Sequence, residues 1–423
     1  MAVCFLVWNG RRYKVKVIFY NHTGQVSGAE RVMLMILSGL DGARFQASVI
    51  CPAEGELTWL AESLGAQVSN VELLRARFTW RPDYLVKYLK SFAEVIFELR
   101  RKLIEAQPDL IHANTIRAGL AATAATIGTG IPVIWHLHDM LPHHPLSTLV
   151  RWFAALSRRT KLLAVSRAVA TRFQGGLLRW LYGRAKIRVI HNAISLNRFD
   201  ADTAASRRVR RELGVSEEQF LMGIVGQITP RKGQLELIRA FAKVAKQIPE
   251  AVLAVVGAPL FNNDHEYLAE LKRVVGNLGV ADRVIFTGAR NDVPMVMQAL
   301  DLLVLNSKTE PFGLVVLEAM ACDTPVLATA VDGVPELIRH GVTGWLIPPG
   351  NEKELAKGLV TLATDRKLRN ALTREAKSNT VLKFSAEKYQ RLVEAYYSQV
   401  CASLTVKSGK QLPGEVELAP KQS

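Results

Sequence analysis

The sequence predicts an α/β fold with two doubly wound parallel sheets, and three observations support this class. The chain has 423 residues, more than the roughly 250–300 residues at which a single core usually stops growing. Short apolar runs rich in Val, Ile and Leu alternate with longer segments of helical period, which is typical of βαβ units. This alternation starts again near Phe220, after a charged segment without strand patterning. We therefore expect two domains of similar construction.

The first half of the chain alternates apolar strand patterns with helical segments. Turn residues bound each apolar run, as in strands that are buried on both faces of a sheet. Strands are predicted at Val15–Tyr20, Gln46–Cys51, Leu110–Ala113, Val133–Leu137, Lys161–Val165 and Ile187–Ile190, and helices at Glu30–Ser38 and Tyr84–Ala106. This order implies parallel pairing with right-handed crossovers.

The second half repeats the pattern. Strands are predicted at Leu221–Val225, Ala251–Val256, Val284–Thr287, Leu302–Asn306 and Pro325–Ala328, and helices at Gln234–Lys246, Glu266–Leu278, Val293–Ala299 and Val315–Ala321. We place one Rossmann-like domain at 1–196 and a second at 197–385, with the boundary near Asn192–Ser206, where the charged, strand-free segment Asn197–Arg211 follows the last strand of the first domain. Parallel sheets bind ligands at the carboxyl ends of their strands, so the two domains are expected to face a cleft.

The ends of the chain carry two further expectations. An amphipathic helix over 386–405 is predicted to cross back to the N-terminal domain, and the polar tail 406–423 is predicted to be disordered. The apolar run Ala2–Trp8 is short and has no basic segment before it, so no secretory signal is predicted. No apolar stretch is long enough to suggest a transmembrane helix, and a cytoplasmic location is expected.

The cysteines argue against two classes of site. Cys4, Cys51, Cys322 and Cys401 are far apart and form no C-x-x-C pair. This spacing disfavours a disulfide framework and a structural zinc site, so reduced thiols are expected.

The positive charge is concentrated in the first half of the chain. Residues 1–190 hold 25 Lys and Arg against 12 Asp and Glu, whereas the remainder holds 29 against 26. The basic residues cluster at Arg100, Arg101, Lys102, Arg151, Arg158, Arg159, Lys161, Arg172, Arg179, Arg184, Lys186 and Arg188. Such a field favours anionic partners, of which a membrane surface or a phosphorylated carrier is preferred over nucleic acid, because no nucleic-acid-binding motif is present. A solvated basic surface without a partner is the alternative.

The most informative motif follows the predicted strand Leu302–Asn306. Its sequence is EPFGLVVLE, from Glu310 to Glu318, in which Gly313 marks a turn and Leu314 begins a helix. Amide groups at a helix N-terminus can bind an anion, and a carboxylate on the helix can accept hydrogen bonds from ribose hydroxyls. A capping carboxylate with a solvated helical Glu is the alternative, which this context disfavours.

A second motif follows the first predicted strand of the C-terminal domain. The segment VGQITPRKG supplies Gly226 at the start of the loop and two bases, Arg231 and Lys232, before a helix. Close backbone approach and positive charge suit a diphosphate. An ordinary strand–helix loop with solvated bases is equally consistent with this segment alone.

Two further motifs lie in the N-terminal domain. The loop that contains Ser27 and Gly28 opens a helix and can approach a phosphate or sugar, although a tight turn would also explain it. In the segment WHLHD, His136 and His138 face the same side by the two-residue period of a strand. A histidine at the end of a strand, such as His138, can hydrogen-bond a sugar hydroxyl or a phosphate, and a structurally satisfied histidine is the alternative. We predict no metal site, because no third ligand has a fitting spacing.

These motifs together resemble the family 4 retaining glycosyltransferases, which have the GT-B fold. The resemblance spans nearly the whole chain and is densest from Phe220 to Gly350. It rests on EPFGLVVLE, on VDGVPEL and GVTGWL after it, on Gly288-Ala289-Arg290, and on SRAV, VIHNA and SGAE in the N-terminal domain. Relatives often carry Arg where Gln227 stands, which removes one expected phosphate contact.

The resemblance implies a role for each motif residue. Lys232 would hold the diphosphate and Glu318 the ribose, while His138 would contact the transferred sugar. The remaining residues form two groups. The donor site would also include Arg231, Gly226, Arg290, Phe312, Gly313, Leu314 and Val315. Glu310 would join this site and lie against the transferred sugar. Gly28 and Ser27 would form a loop beside the sugar and the acceptor.

The predicted activity is retaining transfer of a sugar from a nucleotide-diphosphate sugar, without a metal or other cofactor. Because no D-x-D pair lies in strand context, Lys232, Arg231 and a helix N-terminus are expected to neutralise the leaving group. The expected acceptor is a sugar, a lipid-linked or a phosphorylated molecule in polysaccharide, glycolipid or cell-envelope glycan assembly. A nucleotide-sugar epimerase and a non-catalytic nucleotide-sugar-binding subunit are the alternatives.

Overall fold

The computed structural model describes residues 7–8, 11–12, 14–74, 82–175, 186–199, 202–260 and 262–408. The chain divides into two compact units, of which the N-terminal unit comprises Met1–His191 with Glu387–Ser423 and the C-terminal unit comprises Asn192–Ala386. Each unit is built on one parallel sheet. This architecture confirms the predicted class of two doubly wound α/β domains.

The N-terminal unit has a two-stranded antiparallel sheet, which comes first in the sequence, and a seven-stranded parallel sheet. The strands are β1 (Val7–Trp8), β2 (Arg11–Arg12), β3 (Val15–Tyr20), β4 (Phe45–Cys51), β5 (Gln67–Asn70), β6 (Leu110–Ala113), β7 (Val133–Leu137), β8 (Thr160–Ala164) and β9 (Ile187–Val189). The helices are α1 (Gly28–Gly39), α2 (Leu57–Ser63), α3 (Pro82–Ala106), α4 (Ile116–Ala125), α5 (Pro145–Leu156) and α6 (Arg167–Gln174). The sheet order is β5-β4-β3-β6-β7-β8-β9, so the chain changes direction across the sheet between β3 and β6.

The C-terminal unit has a six-stranded parallel sheet in the order β12-β11-β10-β13-β14-β15. Its strands are β10 (Phe220–Val225), β11 (Ala251–Val256), β12 (Val284–Gly288), β13 (Leu302–Leu305), β14 (Val326–Thr329) and β15 (Trp345–Ile347). Its helices are α7 (Thr203–Glu212), α8 (Gln234–Val244), α9 (Asn262–Asn277), α10 (Val293–Ala299), α11 (Leu314–Ala321), α12 (Glu352–Thr364) and α13 (Arg366–Lys383). Here the change of direction lies between β10 and β13.

Apolar faces of the helices bury the C-terminal sheet. Leu237 and Phe241 of α8 and Leu359 of α12 are fully buried and belong to one hydrophobic cluster with Leu253 of β11. Their spacing on each helix follows the helical period, which places them on the face that meets the sheet. Burial of each such side chain contributes about 1.5–3 kcal/mol to stability. The sheet is therefore a rigid base for the loops at its carboxyl edge.

The last helix, α14 (Ala386–Ser408), packs within the N-terminal unit. Tyr389, Val393 and Tyr397 are spaced four residues apart, and all three are buried. Glu394 of the same helix forms an ion pair with Arg44, with 3.1 Å between Oε2 and Nη1. The helix is thus attached by an apolar stripe and by one partly buried charge pair.

Several elements differ from the sequence-based expectations. The pattern misses β5, an edge strand with mostly exposed polar residues, and β15, which has only three residues. The charged segment expected to be a boundary contains α7, in which Arg210 is buried and forms an ion pair with Asp301 at 3.0 Å. Of the four arginines in α7, Arg210 therefore has a structural role, whereas Arg207, Arg208 and Arg211 are exposed.

Some predictions fall outside the described residues. Helix α14 continues to Ser408, and the predicted disordered tail is outside the described part from residue 409 onwards. Most of the run Ala2–Trp8, and Cys4 within it, also lies outside. The cysteines of the described part, Cys51, Cys322 and Cys401, form no disulfide bond with one another. Among the described helices, none combines the length and apolar composition that crossing a bilayer requires.

Part of the basic excess in the N-terminal unit satisfies backbone carbonyls. Arg100 donates a hydrogen bond of 2.9 Å to the carbonyl oxygen of Ala125 at the end of α4. Lys186 donates to carbonyls at the end of α5, at 2.9 Å for Ser157. Cations in such positions complete helix C-termini and oppose the negative end of the helix dipole. Arg179 and Arg184 lie outside the described residues.

Candidate active site

The strongest candidate site follows two neighbouring strands at the centre of the C-terminal sheet. Strands β10 and β13 pair directly, with Met222 opposite Leu302. Their connections leave the sheet in opposite directions, so the two following loops open a crevice at the carboxyl edge. The motif that contains Lys232 follows β10, and the motif that contains Glu310 follows β13. Both strong motifs of this domain therefore meet at the position where doubly wound folds bind ligands.

An ion pair joins these two loops. The Nζ atom of Lys232 lies 2.6 Å from Oε2 of Glu310, and the two side chains are only 13% and 10% exposed. The residues are 78 positions apart in the sequence. A low local dielectric strengthens such a pair, and the direct contact fixes the position of the ammonium group.

Further hydrogen bonds hold Glu310. The hydroxyl of Ser307 donates to Oε2 of Glu310 at 3.1 Å, and the Glu310 amide donates to Oδ2 of Asp332 at 2.9 Å. Asp332 also accepts from the Thr309 hydroxyl at 2.6 Å. The carboxylate that faces Lys232 is thus positioned on both its side-chain and backbone atoms.

Two glycines begin the helices beside this ion pair. Gly233 precedes α8 and Gly313 precedes α11, both with left-handed backbone conformations at φ 70° and 97°. A Cβ atom at Gly233 would lie 2.1 Å from the carbonyl oxygen of Asn306, which excludes any side chain there without movement. Neither glycine offers a side-chain cap, and in α8 the Leu235 amide donates instead to the Tyr267 hydroxyl at 3.0 Å. The amides that begin α11, with the positive end of its dipole, therefore remain at this edge for an anion.

The other residues of the EPFGLVVLE motif occupy α11 and the turn before it. Leu314 and Val315 form the first positions of the helix, where their amides belong to the uncapped turn. Phe312 is buried and packs edge-on against Phe384, with 6.1 Å between ring centroids. Glu318 is half-buried on the second turn of α11. The helix begins at Leu314, as the sequence predicts.

Arg231 belongs to the same site, and its hydrogen bonds tie the two loops together. Its guanidinium donates to the carbonyl oxygen of Thr309 at 3.2 Å, and its own carbonyl accepts from the amide of Lys308 at 2.8 Å. Gly226 begins this loop, and its amide donates to the carbonyl of Val256 at 2.9 Å. Arg231, Lys232, Gly226 and Glu310 are therefore brought together in one structure.

Gln227, which stands where relatives often carry Arg, faces a different partner. The side-chain amide of Gln227 donates a hydrogen bond to Oδ2 of Asp264 at 2.8 Å. The backbone carbonyl of Gln227 accepts a hydrogen bond from the side chain of Gln234 at 2.9 Å. This side chain thus secures the loop after β10 to α9.

Arg290, predicted to join the donor site, is engaged by two carboxylates. Its guanidinium donates to Asp292 at 2.8 and 2.6 Å and to Glu212 at 2.7 and 3.1 Å. These hydrogen bonds raise the pKa of Arg290 above its ordinary value and lower the pKa of Asp292. Only the turn at Gly288 to Arg290, and not a free guanidinium, is available at this position.

In the N-terminal unit, Ser27 and Gly28 begin α1. The carboxylate of Glu30 accepts a hydrogen bond of 3.0 Å from the Ser27 amide and another from the Ser27 hydroxyl. Its second oxygen accepts from the side chain of Asn21 at 3.1 Å. The spacing Ser-x-x-Glu is the signal of a capping box, which the sequence analysis did not use. This loop is therefore held by a buried carboxylate.

His138 follows β7 directly and packs on His136, as the two-residue period predicts. Their ring centroids are 3.8 Å apart. Burial lowers the pKa of His138 to about 3, so the imidazole is neutral at physiological pH. A neutral imidazole can exchange hydrogen bonds with hydroxyl groups without attracting an anion.

Sequence reasoning missed the residues that position the motif side chains. Ser307 and Asp332 hold Glu310, and Glu30 holds the loop before α1. Asp332 lies in the segment VDGVPEL and has a φ of 42°, which is unusual for a residue other than glycine. Only the capping-box spacing at Glu30 could have been found from local sequence.

Comparison with known proteins agrees with this geometry. Residues 206–379 match the family model described as glycosyl transferases group 1. Residues 26–198 match the model described as glycosyltransferase family 4. The first match contains the whole site around Lys232 and Glu310.

Two curated relatives illustrate the extent of the similarity. The D-inositol 3-phosphate glycosyltransferase of Kribbella flavida is 32% identical over 312 residues, which cover 68% of this chain and 70% of that protein. The N-acetyl-alpha-D-glucosaminyl L-malate synthase of Bacillus anthracis is 32% identical over 193 residues, covering 46% of this chain. For that second relative, the chain spans about half of its length, at 49%.

A solved structure is similar over nearly the whole chain. The crystal structure of Anabaena HepE in complex with UDP-glucose is 29% identical and superposes with a TM-score of 0.78. The match covers 91% of this chain and 99% of that one. Taken with the two parallel sheets and the family models, this similarity shows that the chain is a glycosyltransferase that belongs to family 4 and has the GT-B fold.

Proposed function

We propose that this glycosyltransferase moves a sugar from a nucleotide-diphosphate sugar with retention of anomeric configuration and without a metal ion. The observation that carries the proposal is the ion pair of Lys232 and Glu310 beside the uncapped N-terminus of α11. Breaking the bond to the anomeric carbon leaves negative charge on the diphosphate oxygens. Fixed cations and amide dipoles stabilise such charge without reorganisation.

The residues take distinct roles in this proposal. Lys232 binds the leaving diphosphate, with Arg231 and the amides of Leu314 and Val315 completing the anion site. Glu310 positions the ammonium group in the resting enzyme and lies against the donor sugar when substrate is bound. Glu318 accepts hydrogen bonds from the ribose hydroxyls, as acidic residues do in other nucleotide folds.

The donor is proposed to be a nucleoside diphosphate sugar such as a UDP- or GDP-sugar. The UDP-glucose complex of HepE supports this class, because the similarity covers 91% of this chain. No further cofactor is proposed. Thermal-shift titration with UDP-, GDP- and ADP-sugars identifies the base, and stabilisation by none of them would contradict the donor class.

Retention is proposed to proceed on one face of the sugar. No carboxylate is assigned here as a nucleophile, so the acceptor attacks from the side that the diphosphate leaves. The anomeric configuration of the product, read by NMR coupling constants, tests this step directly. An inverted product would refute retention, and epimerised donor formed without acceptor would favour an epimerase.

Metal independence has a separate test. Transfer rates measured in excess EDTA should equal those in untreated enzyme, because the protein itself supplies the positive charge. A loss of activity that manganese restores would overturn this part of the proposal. It would leave the glycosyltransferase assignment intact.

For the acceptor, we propose a sugar or a lipid-linked or phosphorylated molecule in polysaccharide, glycolipid or cell-envelope glycan assembly. The Kribbella relative is named for D-inositol 3-phosphate, a phosphorylated molecule, and the basic excess of this chain lies in the N-terminal unit. A positive field of this kind attracts anionic groups. We place the protein in the cytoplasm, at the inner face of the membrane.

The exposed face of α5 supports peripheral binding to an anionic lipid surface. Leu149, Trp152 and Leu156 follow the spacing of one helix face and are 63%, 38% and 70% exposed. The exposed residues Arg158 and Arg159 follow directly. Apolar side chains that enter the headgroup region beside basic residues are typical of interfacial helices.

Vesicle flotation tests this surface. The wild-type chain should float with phosphatidylglycerol vesicles and less with phosphatidylcholine vesicles. The double change Trp152→Ser and Leu156→Ser should abolish flotation, whereas Leu278→Ser, which alters an exposed leucine of the C-terminal unit, should not. Equal flotation of all three proteins, or equal binding to both lipids, would end the membrane proposal.

A further inference from the structure

A chain of hydrogen-bonded side chains crosses the interior of the N-terminal unit, from α14 to the end of β7. The hydroxyl of Tyr397 lies 2.6 Å from Nδ1 of His112. The other ring nitrogen of His112, Nε2, lies 3.0 Å from Nδ1 of His136. All three side chains are fully buried. The first of these contacts is distant in sequence, since Tyr397 and His112 are separated by 285 positions.

The direction of these hydrogen bonds follows from the requirement that buried donors find acceptors. If the Tyr397 hydroxyl donates to Nδ1 of His112, then His112 carries its proton on Nε2 and donates to Nδ1 of His136. The reverse direction would leave the phenolic hydrogen of Tyr397 buried without an acceptor, which costs about 1–3 kcal/mol. We therefore assign the proton of His136 to Nε2.

Packing holds the rings of this chain in one orientation. Phe19 stacks on His112 with 5.0 Å between centroids, and Tyr397 meets Phe45 edge-on at 6.1 Å. Burial lowers the pKa of His112 to about 3 and that of His136 well below its ordinary value. The imidazoles are therefore neutral, and each has one proton whose position depends on its neighbour.

The chain ends at His138. The ring of His136 lies 3.8 Å from that of His138, centroid to centroid, at an angle of 47°. The Nε2 atoms of both rings are buried and have no hydrogen-bond partner among the described residues. Buried polar atoms without partners are rare in native proteins, and these two are available to a bound molecule. These nitrogens lie at the carboxyl end of β7, where ligands bind in sheets of this kind.

We propose that Tyr397 and His112 are positioning residues that fix the tautomer of His136 and, through its ring, the orientation of His138. The inference rests on the proposed role of His138 in sugar transfer and adds a contribution from α14 to it. With Nε2 of His136 protonated, a donor faces the same edge as Nε2 of His138. The C-terminal helix thereby sets the hydrogen-bonding pattern of this edge without touching the substrate.

The variant Tyr397→Phe removes only the hydroxyl at the start of the chain. His112 then has no donor for Nδ1, and both of its tautomers become accessible, which releases the proton position on His136. We expect kcat to fall about fivefold to tenfold, the range that corresponds to one buried hydrogen bond. The KM for the nucleotide sugar should change less than kcat, because we assign the nucleotide part of the donor to the site after β10 and β13.

Tyr389→Phe is the matched control. Tyr389 lies on the same helix and is equally buried, but its hydroxyl has no partner among the described residues. Removing that hydroxyl should leave kcat and KM at wild-type values. Both variants are compared at equal folding, checked by circular dichroism and thermal unfolding.

Tautomers provide a readout that a structural effect would not move. Selective ¹⁵N labelling of histidine distinguishes protonated from unprotonated ring nitrogens in neutral imidazoles. In the wild-type full-length chain, both His112 and His136 should carry their proton on Nε2. In Tyr397→Phe, the signals of His112 should shift towards a mixture, and in Tyr389→Phe they should not.

The possible outcomes separate this inference from the proposed function. A wild-type spectrum with the His136 proton on Nδ1 overturns the inference, whether or not Tyr397→Phe folds. So does an unchanged kcat in Tyr397→Phe when His138→Ala impairs transfer. If His138→Ala itself transfers sugar at the wild-type rate, the role proposed for His138 fails, and this inference fails with it.

Discussion

Two helices of the N-terminal unit and two helices of the C-terminal unit differ in how their N-termini are capped. In the N-terminal unit, Thr115 caps α4 and Ser166 caps α6, each accepting a hydrogen bond from a backbone amide at 3.1 and 3.0 Å. In the C-terminal unit, α8 and α11 begin at Gly233 and Gly313, which have no side chain to act as a cap, and only α8 gains a substitute, from the Tyr267 hydroxyl to the Leu235 amide at 3.0 Å. A side-chain cap contributes about 1 kcal/mol to helix stability, so α11 begins without a contribution that α4 and α6 have.

The difference is local and does not extend to the whole C-terminal unit. Asp202 caps α7 and Asn351 caps α12, with hydrogen bonds of 2.9 and 3.1 Å to backbone amides. Helix α10 also begins without a side-chain cap, but α11 is the uncapped helix that begins beside the ion pair of Lys232 and Glu310. We propose that an anion binds at this helix start, where an uncapped N-terminus and a fixed cation occur together.

Charge separates the two regions in the same way. The C-terminal site contains a partly buried ion pair, whereas the edge of the N-terminal sheet beside β7 carries imidazoles that burial keeps neutral. A diphosphate requires fixed positive charge, but the hydroxyl groups of a sugar require only hydrogen-bond donors and acceptors. Each region thus matches the part of the substrate that we assign to it.

The largest effect is expected at Lys232. Lys232→Ala removes the cation that faces the leaving diphosphate and leaves Glu310 buried without its counter-charge. We expect kcat/KM to fall about 10²–10³-fold, the range for loss of one preorganised donor to a developing charge. Initial-rate assays with a nucleotide sugar measure this change.

Lys243→Ala is the control for that variant. Lys243 also lies in the C-terminal unit and pairs with Glu352, but its side chain is 63% exposed. Its replacement should leave activity unchanged, because exposed ion pairs contribute little. Comparable losses in the two variants would contradict a specific role for Lys232.

A second prediction concerns the backbone conformation of Gly233, the residue before helix α8. Gly233→Ala combines a left-handed φ of 70° with a clash of 2.1 Å against the Asn306 carbonyl. Gly279→Ala has a similar φ of 67° but meets no atom within 4 Å. We expect a stability loss of about 1 kcal/mol in Gly279→Ala and of several kcal/mol in Gly233→Ala. Thermal unfolding with and without UDP measures both.

Similar stability losses in the two glycine variants would contradict the claim that the loop before α8 requires glycine. Equal unfolding temperatures would mean that the loop before α8 adjusts freely to a side chain. Unchanged stabilisation of Gly233→Ala by UDP would show that this loop does not hold the ligand.

A third prediction separates nucleoside recognition from diphosphate recognition. Glu318→Gln keeps the shape of the side chain but weakens its hydrogen bonds to ribose hydroxyls, because a carboxylate is the stronger acceptor. We expect KM for the donor to rise about tenfold with a smaller change in kcat. If KM stays constant and kcat falls, Glu318 would have to act on the reacting groups instead.

The smallest effect concerns acid stability of the N-terminal unit. Burial lowers the pKa of His112 to about 3, so between pH 6.5 and about 3 the unfolded chain binds a proton that the folded chain does not. Above pH 6.5, His112 is neutral in both states and does not change the free energy of unfolding. As the pH falls from 6.5 to about 3, the free energy of unfolding decreases, because only the unfolded chain binds the proton. The loss is at most about 1.4 kcal/mol per pH unit.

The variant His112→Gln isolates this contribution. Its unfolding temperature should depend less steeply on pH than that of the wild type between pH 6.5 and 4. All other groups titrate in both proteins, so the difference between the two slopes belongs to His112 and its bonded neighbours. Parallel slopes would refute the neutral, buried state of this imidazole.

Much of the fold could be predicted because central parallel strands leave a clear apolar signal. The bounds of β3, β6, β7 and β11 agree with the sequence pattern, since these strands are buried on both faces. Strand β5 was missed because its residues are mostly exposed and polar, and its strand state depends on pairing with β4. Local pattern cannot indicate a strand that only a neighbour stabilises.

The site followed the same division between local and distant information. The motifs around Lys232 and Glu310 were visible because each is a strand–turn–helix junction. Their supports were not, because Asp332 reaches Glu310 across 22 positions and Tyr397 reaches His112 across 285. The engagement of Arg290 by Glu212 likewise depends on a partner 78 positions away.

The most direct test of the central claim is a crystal structure with a bound nucleoside diphosphate. We predict that the phosphates lie within hydrogen-bond distance of Lys232 and of the amides that begin α11, with the ribose hydroxyls on Glu318. A nucleotide bound elsewhere, or one attached to the protein only through a divalent ion, would contradict the claim that fixed protein charge holds the leaving group.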